Sequence, residues 1–192
     1  CTGGTGTLAI TQSRYAPLGS EIDREGSLWQ VPFSARIVSG GTSTVVRQML
    51  SAKQETVALP ACPDYVVPNA GGTGYWRYAL DADSAAKLAA NYDALTPGEQ
   101  MVVIDALTSG YSAGRVSPGA VLDGLKASVN GSPAAISLGF GFLRGTHARL
   151  SPEGQKKLSA WIEAAYGPLV RSLQSRAPET LTIQETLLRD SL

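Results

Sequence analysis

Across the stretch of residues 60–81 the apolar period changes, from two before it to about 3.6 after Asp81. A segment that alternates along a pleat cannot also present one helical face, so the change divides the chain into a strand-built part and a helix-built part. The stretch itself, PACPDYVVPNAGGTGYWRYALD, holds Cys62, the run Gly71-Gly72-Thr73-Gly74 and the aromatic cluster Tyr75, Trp76 and Tyr78. The glycines predict a turn in which positive φ costs little. Residues 75–80 read as a strand, with Tyr75, Arg77 and Ala79 on one side and Trp76, Tyr78 and Leu80 on the other. The glycines lack both the G-x-G-x-x-G spacing and the Lys-Ser/Thr of a phosphate loop.

Upstream, Leu8 and Ile10 alternate with polar neighbours in Thr7-Leu8-Ala9-Ile10-Thr11-Gln12, the pattern of a half-buried strand. Residues 21–26 are charged and poor in apolar side chains, as a surface loop is. Trp29, Val31, Phe33, Ala35 and Ile37 share one face of a second strand, and Pro32 places part of it at an edge or a bulge. Gly40-Gly41 predicts a turn; residues 45–50, 55–59 and 65–67 read as three further strands. Six short strands in about eighty residues suggest a small antiparallel sandwich.

Downstream, Asp83-Ser84 is expected to cap a helix running to about Leu95. Four copies of one signal follow: Thr96-Pro97, Ser117-Pro118, Ser132-Pro133 and Ser151-Pro152. A hydroxyl N-cap before proline uses the one helical position where a missing N–H costs nothing. Thr96 with Glu99 also fits a capping box. From Leu158 to Leu173 an apolar stripe has helical spacing, with Gly167-Pro168 expected to bend or break the helix. Residues 181–192 begin one more helix. Short helices joined by short turns imply antiparallel hairpins stacked as a solenoid.

Little catalytic chemistry accompanies this architecture. Sixteen basic residues balance sixteen acidic ones, which leaves no net electrostatic footprint for nucleic acid. No apolar run approaches the ~18 residues of a membrane span. The single histidine, His147, lies in the basic patch Arg144-Gly145-Thr146-His147-Ala148-Arg149 and reads as a surface loop residue, since a metal site or triad needs companions. No GxSxG elbow surrounds any serine. Asp81 with Asp83, and Glu21 with Asp23, read as helix-start and loop acids; Asn130-Gly131-Ser132 reads as a turn before a helix. Cys1 and Cys62 do not assign a redox compartment: they could pair, and Cys1 could bear a lipid or simply be where this piece begins.

Residues 62–78 also carry a resemblance. Cys62-Pro63-Asp64-Tyr65-Val66-Val67-Pro68-Asn69-Ala70-Gly71-Gly72-Thr73-Gly74-Tyr75-Trp76-Arg77-Tyr78 resembles the late β-sandwich of the aminopeptidase N family of zinc aminopeptidases, the gluzincin metallopeptidases. In order and spacing, Leu8-Ala9-Ile10-Thr11-Gln12-Ser13-Arg14-Tyr15 resembles that family's first sandwich strand, and Leu28-Trp29-Gln30-Val31-Pro32-Phe33 its Trp-x-Val/Ile-Pro strand. Val103-Ile104-Asp105-Ala106-Leu107 with Ala113-Gly114 resembles the helix pair that follows, and residues 161–173 and 185–189 are weaker matches. Trp76 departs from the family's Tyr or Phe, and its Arg before the helix-pair Asp is not visible near Gln100. The His-Glu-x-x-His helix, its distal Glu and the Gly-x-Met-Glu-Asn strand are absent from the sequence.

The sequence thus predicts β + α in order: a small antiparallel β-sandwich over residues 1–81, then an α-helical, solenoid-like domain over residues 82–192, incomplete at its C-terminus. The resemblance implies the non-catalytic C-terminal portion of a zinc aminopeptidase that removes N-terminal residues from peptides, with this portion walling the substrate chamber. Its partners would be the catalytic domain of the same parent chain and the parent's peptide substrate, with no nucleic acid and no transmembrane segment. The hydrolase's zinc would belong to the parent; no catalytic, cofactor-binding or metal-binding residue is expected in this chain. The alternative is a stand-alone sandwich-plus-solenoid interaction module without catalysis.

Overall fold

The computed structural model describes residues 1, 4–22 and 26–192, so the expected loop at residues 21–26, with Asp23, lies partly outside the described residues. The architecture is mixed β plus α, two small antiparallel sheets followed by six α-helices among the described residues. The strands are β1 (Gly6–Thr11), β2 (Val31–Ser39), β3 (Thr42–Leu50), β4 (Gln54–Leu59) and β5 (Tyr65–Pro68). β1 pairs with β4, placing Gly6 opposite Leu59 and Thr11 opposite Gln54. β2 lies between β3 and β5. The β2–β3 hairpin turns at Gly40-Gly41, with φ of 54° and 77°, because a two-residue turn matched to strand twist needs positive φ at both positions. Pro32 sits on the part of β2 that β5 does not reach, an edge position where its missing N–H is tolerated.

Alternation along β2 and β5 sends their two faces into different cores. Phe33, Ala35 and Ile37 are buried with Leu50, Val57 and Leu59, and Leu8 and Ile10 pack against the same cluster, so the two sheets share one apolar core. From the other face, Tyr65 and Val67 join the helical core and Val38 packs on it.

The expected strand at residues 75–80 does not form. Its period-two alternation is real: Trp76, Tyr78 and Leu80 are half-buried while Tyr75, Arg77 and Ala79 are exposed. Among the described residues no neighbouring backbone pairs with it in a ladder, however, and side-chain packing fixes the segment instead. Trp76 lies 5.5 Å from Phe33 and 6.2 Å from Tyr78, ring centroid to centroid. Alternation reports burial; a strand also needs a partner.

The helices are α1 (Ala82–Ala90), α2 (Pro97–Ser112), α3 (Pro118–Ala127), α4 (Pro133–His147), α5 (Pro152–Ser175) and α6 (Ile183–Ser191). All four Ser/Thr-Pro signals are N-caps: Thr96, Ser117, Ser132 and Ser151 accept from the amides of Glu99, Ala120, Ala135 and Gly154 at 3.2–3.4 Å. The cap of α1 is Asp81 rather than Asp83-Ser84, accepting from the Ser84 amide at 2.9 Å and its hydroxyl at 2.7 Å. α1 ends at Ala90, and Tyr92–Ala94 forms a separate single turn. Gly167-Pro168 does not break α5, which runs for 24 residues. Proline removes the donor for the carbonyl four residues back, that of Ala164, and both residues are exposed, so water can replace the lost bond.

Ile104, Leu125, Leu143, Tyr166 and Leu188 fill the helical core. Burying each such aliphatic side chain contributes about 1.5–3 kcal/mol. The last helix is capped by Thr182 in a box with Glu185; it buries Leu188 but leaves Ile183 and Leu187 exposed. No helix among the described residues is long and apolar enough to cross a membrane.

Candidate functional site at the strand-to-helix junction

The most highly ordered polar chemistry lies where the sheets meet the helices. Arg36 stands on β2 between inward-facing Ala35 and Ile37, so it points to the opposite face, toward α2. There it meets Glu99 in the first turn of α2: Nε to Oε1 at 2.9 Å and Nη2 to Oε2 at 2.6 Å, a bidentate pair. The Glu99 side chain is 1% exposed and that of Arg36 16%. Glu99 also accepts from the Thr96 amide at 3.0 Å and the Gly71 amide at 3.1 Å. Burial pushes the Glu99 carboxyl up, but the bonds from Arg36, Thr96 and Gly71 outweigh it and hold its pKa below the ordinary value. One carboxylate thereby ties β2, the glycine turn and the start of α2 together.

The glycine turn is built to lie against that helix start. Buried Asn69 takes a left-handed conformation, with φ of 60°. Its side chain accepts from the Gly74 amide at 2.6 Å and donates to the Gly74 carbonyl at 2.8 Å, closing the loop on itself. A Cβ on Gly98 would stand 2.5 Å from the Gly71 carbonyl oxygen, so that position of α2 admits no side chain without movement.

Beyond the turn, Arg77 binds Asp105 of α2 through Nε at 3.0 Å and stacks over the Tyr15 ring at 4.6 Å. Tyr78 Oη and Trp76 Nε1 are buried and make no hydrogen bond among the described residues. Burial raises the Tyr78 phenol far above its ordinary pKa, with Glu99 and Asp105 adding to the effect. Gln100 bridges Leu95 and Ser132, donating to the Leu95 carbonyl at 3.3 Å and accepting from the Ser132 amide at 2.7 Å.

Next to the junction is an open cleft of about 860 Å³ between residues 15–18 and the α2–α3 turn. The Leu18 amide donates to the Ser112 carbonyl at 2.9 Å, and Arg115 reaches Ser13 at 3.2 Å. Tyr15, Leu18 and Tyr111 give the cleft its apolar surface, and Arg115 and Arg149 its charge.

The sequence-flagged groups are scattered. His147 ends α4 rather than lying in a loop, because the helix opened at Ser132 extends through the basic patch. Its Nε2 is 3.1 Å from Ser159 Oγ, but among the described residues no third group is bonded to the ring, and Ser159 lies exposed on α5. Both thiols are free; Cys62 Sγ donates to the Thr5 carbonyl at 3.3 Å. Asp83 pairs with Lys87. Among the described residues no group of three or more His, Cys, Asp or Glu is placed to hold a metal ion.

Arg36 and the Tyr15–Arg77–Asp105 cluster escaped the sequence reading. A charged residue interrupting a strand whose alternate positions are apolar was the available signal for Arg36. Compared with models of known protein families, the chain matches none.

Proposed function

We propose that this chain is the non-catalytic portion of a zinc aminopeptidase of the aminopeptidase N type: a small β-sandwich followed by the first hairpins of an α-solenoid, walling the substrate chamber. The observation that carries this reading is the junction itself. The residues that hold the resemblance, from Asn69 through Gly74 to Arg77, are those that fasten the sheets to the helices through Glu99, Gly98 and Asp105. A rigid elbow of this kind suits a wall, which must hold its shape while remote binding energy is used at the reacting centre. Two sheets sharing one core, then helices opened by repeated caps, are consistent with the sandwich and the solenoid.

Zinc and the general base would come from a catalytic domain elsewhere in the parent protein, along with the groups that grip the peptide's amino terminus. The gene tests this directly. Several hundred codons upstream of Cys1 containing His-Glu-x-x-His would support the proposal. An initiation codon or lipoprotein signal immediately before Cys1 would overturn it in favour of an interaction module.

A further inference from the structure

We propose that the cleft between residues 15–18 and the α2–α3 turn docks an acidic segment of another polypeptide, with a side-chain carboxylate held between Arg115 and Arg149. Charge is the first argument. The described residues lining the cleft include two arginines and no carboxylate, although acids and bases balance over the chain. Arg36, Arg77, Arg171, Arg176 and Arg189 each pair with a carboxylate of the chain itself. Arg149 makes no ion pair or side-chain hydrogen bond among the described residues, and Arg115 uses one nitrogen on Ser13. Two arginines lining one cleft suit capture of a carboxylate, which a guanidinium can bind bidentately.

Shape and the missing donors narrow the occupant to a polypeptide. A phosphate site at the start of α3 would need free amides, but Pro118 has none there and the Ala120 amide already donates to the Ser117 hydroxyl oxygen. The cleft is open rather than enclosed, and Tyr15, Tyr111 and the 69% exposed Leu18 form a shelf for the aliphatic parts of neighbouring residues. That shelf is held in place before any ligand arrives. The Leu18 backbone is bonded to Ser112, and Tyr15 lies under Arg77. The inference concerns this chain's own surface and stands apart from the aminopeptidase reading.

The test is calorimetric titration of the 192-residue chain at low salt with acetyl-Ala-Glu-Leu-Glu-Ala-amide, blocked at both ends so that only side-chain carboxylates are offered. The glutamine counterpart, the same peptide with a free C-terminus, and inorganic phosphate serve as the other arms. Saturable one-to-one binding is expected, about tenfold or more weaker for the glutamine peptide and falling with added salt. Arg149→Gln should weaken it about fivefold or more without altering the melting temperature, since Arg149 is exposed and unpaired. Four results would each overturn the proposal. These are no saturable binding, equal binding of the glutamine peptide, unchanged affinity in Arg149→Gln, or binding of phosphate or of the free C-terminus alone.

Discussion

Replacing Glu99 by alanine should cost about 4 kcal/mol of folding stability. Removing one partner of a buried ion pair costs about 3–5 kcal/mol because the other charge is left uncompensated. The lower end applies here: Arg36 retains a bond to the Ala94 carbonyl at 3.3 Å and its side chain is 16% exposed. Losing the capping box adds about 1 kcal/mol. At about 2–4 °C per kcal/mol for a chain of this size, the melting temperature should fall by about 8–16 °C. Glu99→Gln keeps the volume but has one acceptor oxygen, so it can keep only one of the bonds from the Thr96 and Gly71 amides, which reach different carboxylate oxygens, and it should cost about 3 kcal/mol. The double variant Arg36→Met/Glu99→Leu should recover more than half of the alanine loss, since no charge is then stranded. Urea unfolding followed by tryptophan fluorescence reads all three, with Trp76 packed against Phe33 beside the junction. A loss below about 1 kcal/mol in Glu99→Ala would refute the claim that this carboxylate fastens the two parts.

Gly98→Ala and Gly119→Ala occupy the same position after a Ser/Thr-Pro cap, yet should act in opposite directions. A Cβ at Gly98 meets the Gly71 carbonyl at 2.5 Å and should destabilise by about 2 kcal/mol, whereas at Gly119 it meets nothing within 4 Å and should stabilise by about 0.5–1 kcal/mol; thermal melts separate the signs. Tyr78→Phe removes a buried hydroxyl that has no partner among the described residues and should leave stability unchanged or raise it by up to about 1 kcal/mol in urea titrations. The folded pKa of Glu99 lies below its unfolded value of about 4.3. Its contribution is therefore complete above that pH and is lost as pH falls through the folded value, which unfolding midpoints across that window should trace against Glu99→Gln. Glu185, lowered to about 2 chiefly by Arg176, follows the same sign, so the protection of α6 amides relative to their intrinsic exchange rates should fall as pH drops from about 4 toward about 2.

What the sequence disclosed was local chemistry. Each Ser/Thr-Pro pair marks a helix start because the cap hydroxyl and the prolyl ring act within one turn, and the Gly40-Gly41 turn needs no distant partner either. What it concealed was pairing at a distance. Residues 75–80 alternate as a strand would, but whether a ladder lies beside them depends on where β2, β4 and β5 run. Arg36 and Glu99 are 63 residues apart, and no period links them. Pro168 leaves α5 unbroken for another reason: its cost depends on whether the orphaned carbonyl reaches water, which exposure decides. The cleft is equally non-local, since Tyr15, Arg115 and Arg149 converge only once β1 has led the chain onto α2.

Immunocapture from the source organism with an antibody against this chain tests the central claim most directly. The captured protein would be assayed for release of N-terminal residues from aminoacyl-amidomethylcoumarin substrates. The account predicts hydrolysis that 1,10-phenanthroline abolishes and added zinc restores. Captured protein that leaves these substrates intact, with or without zinc, would contradict it.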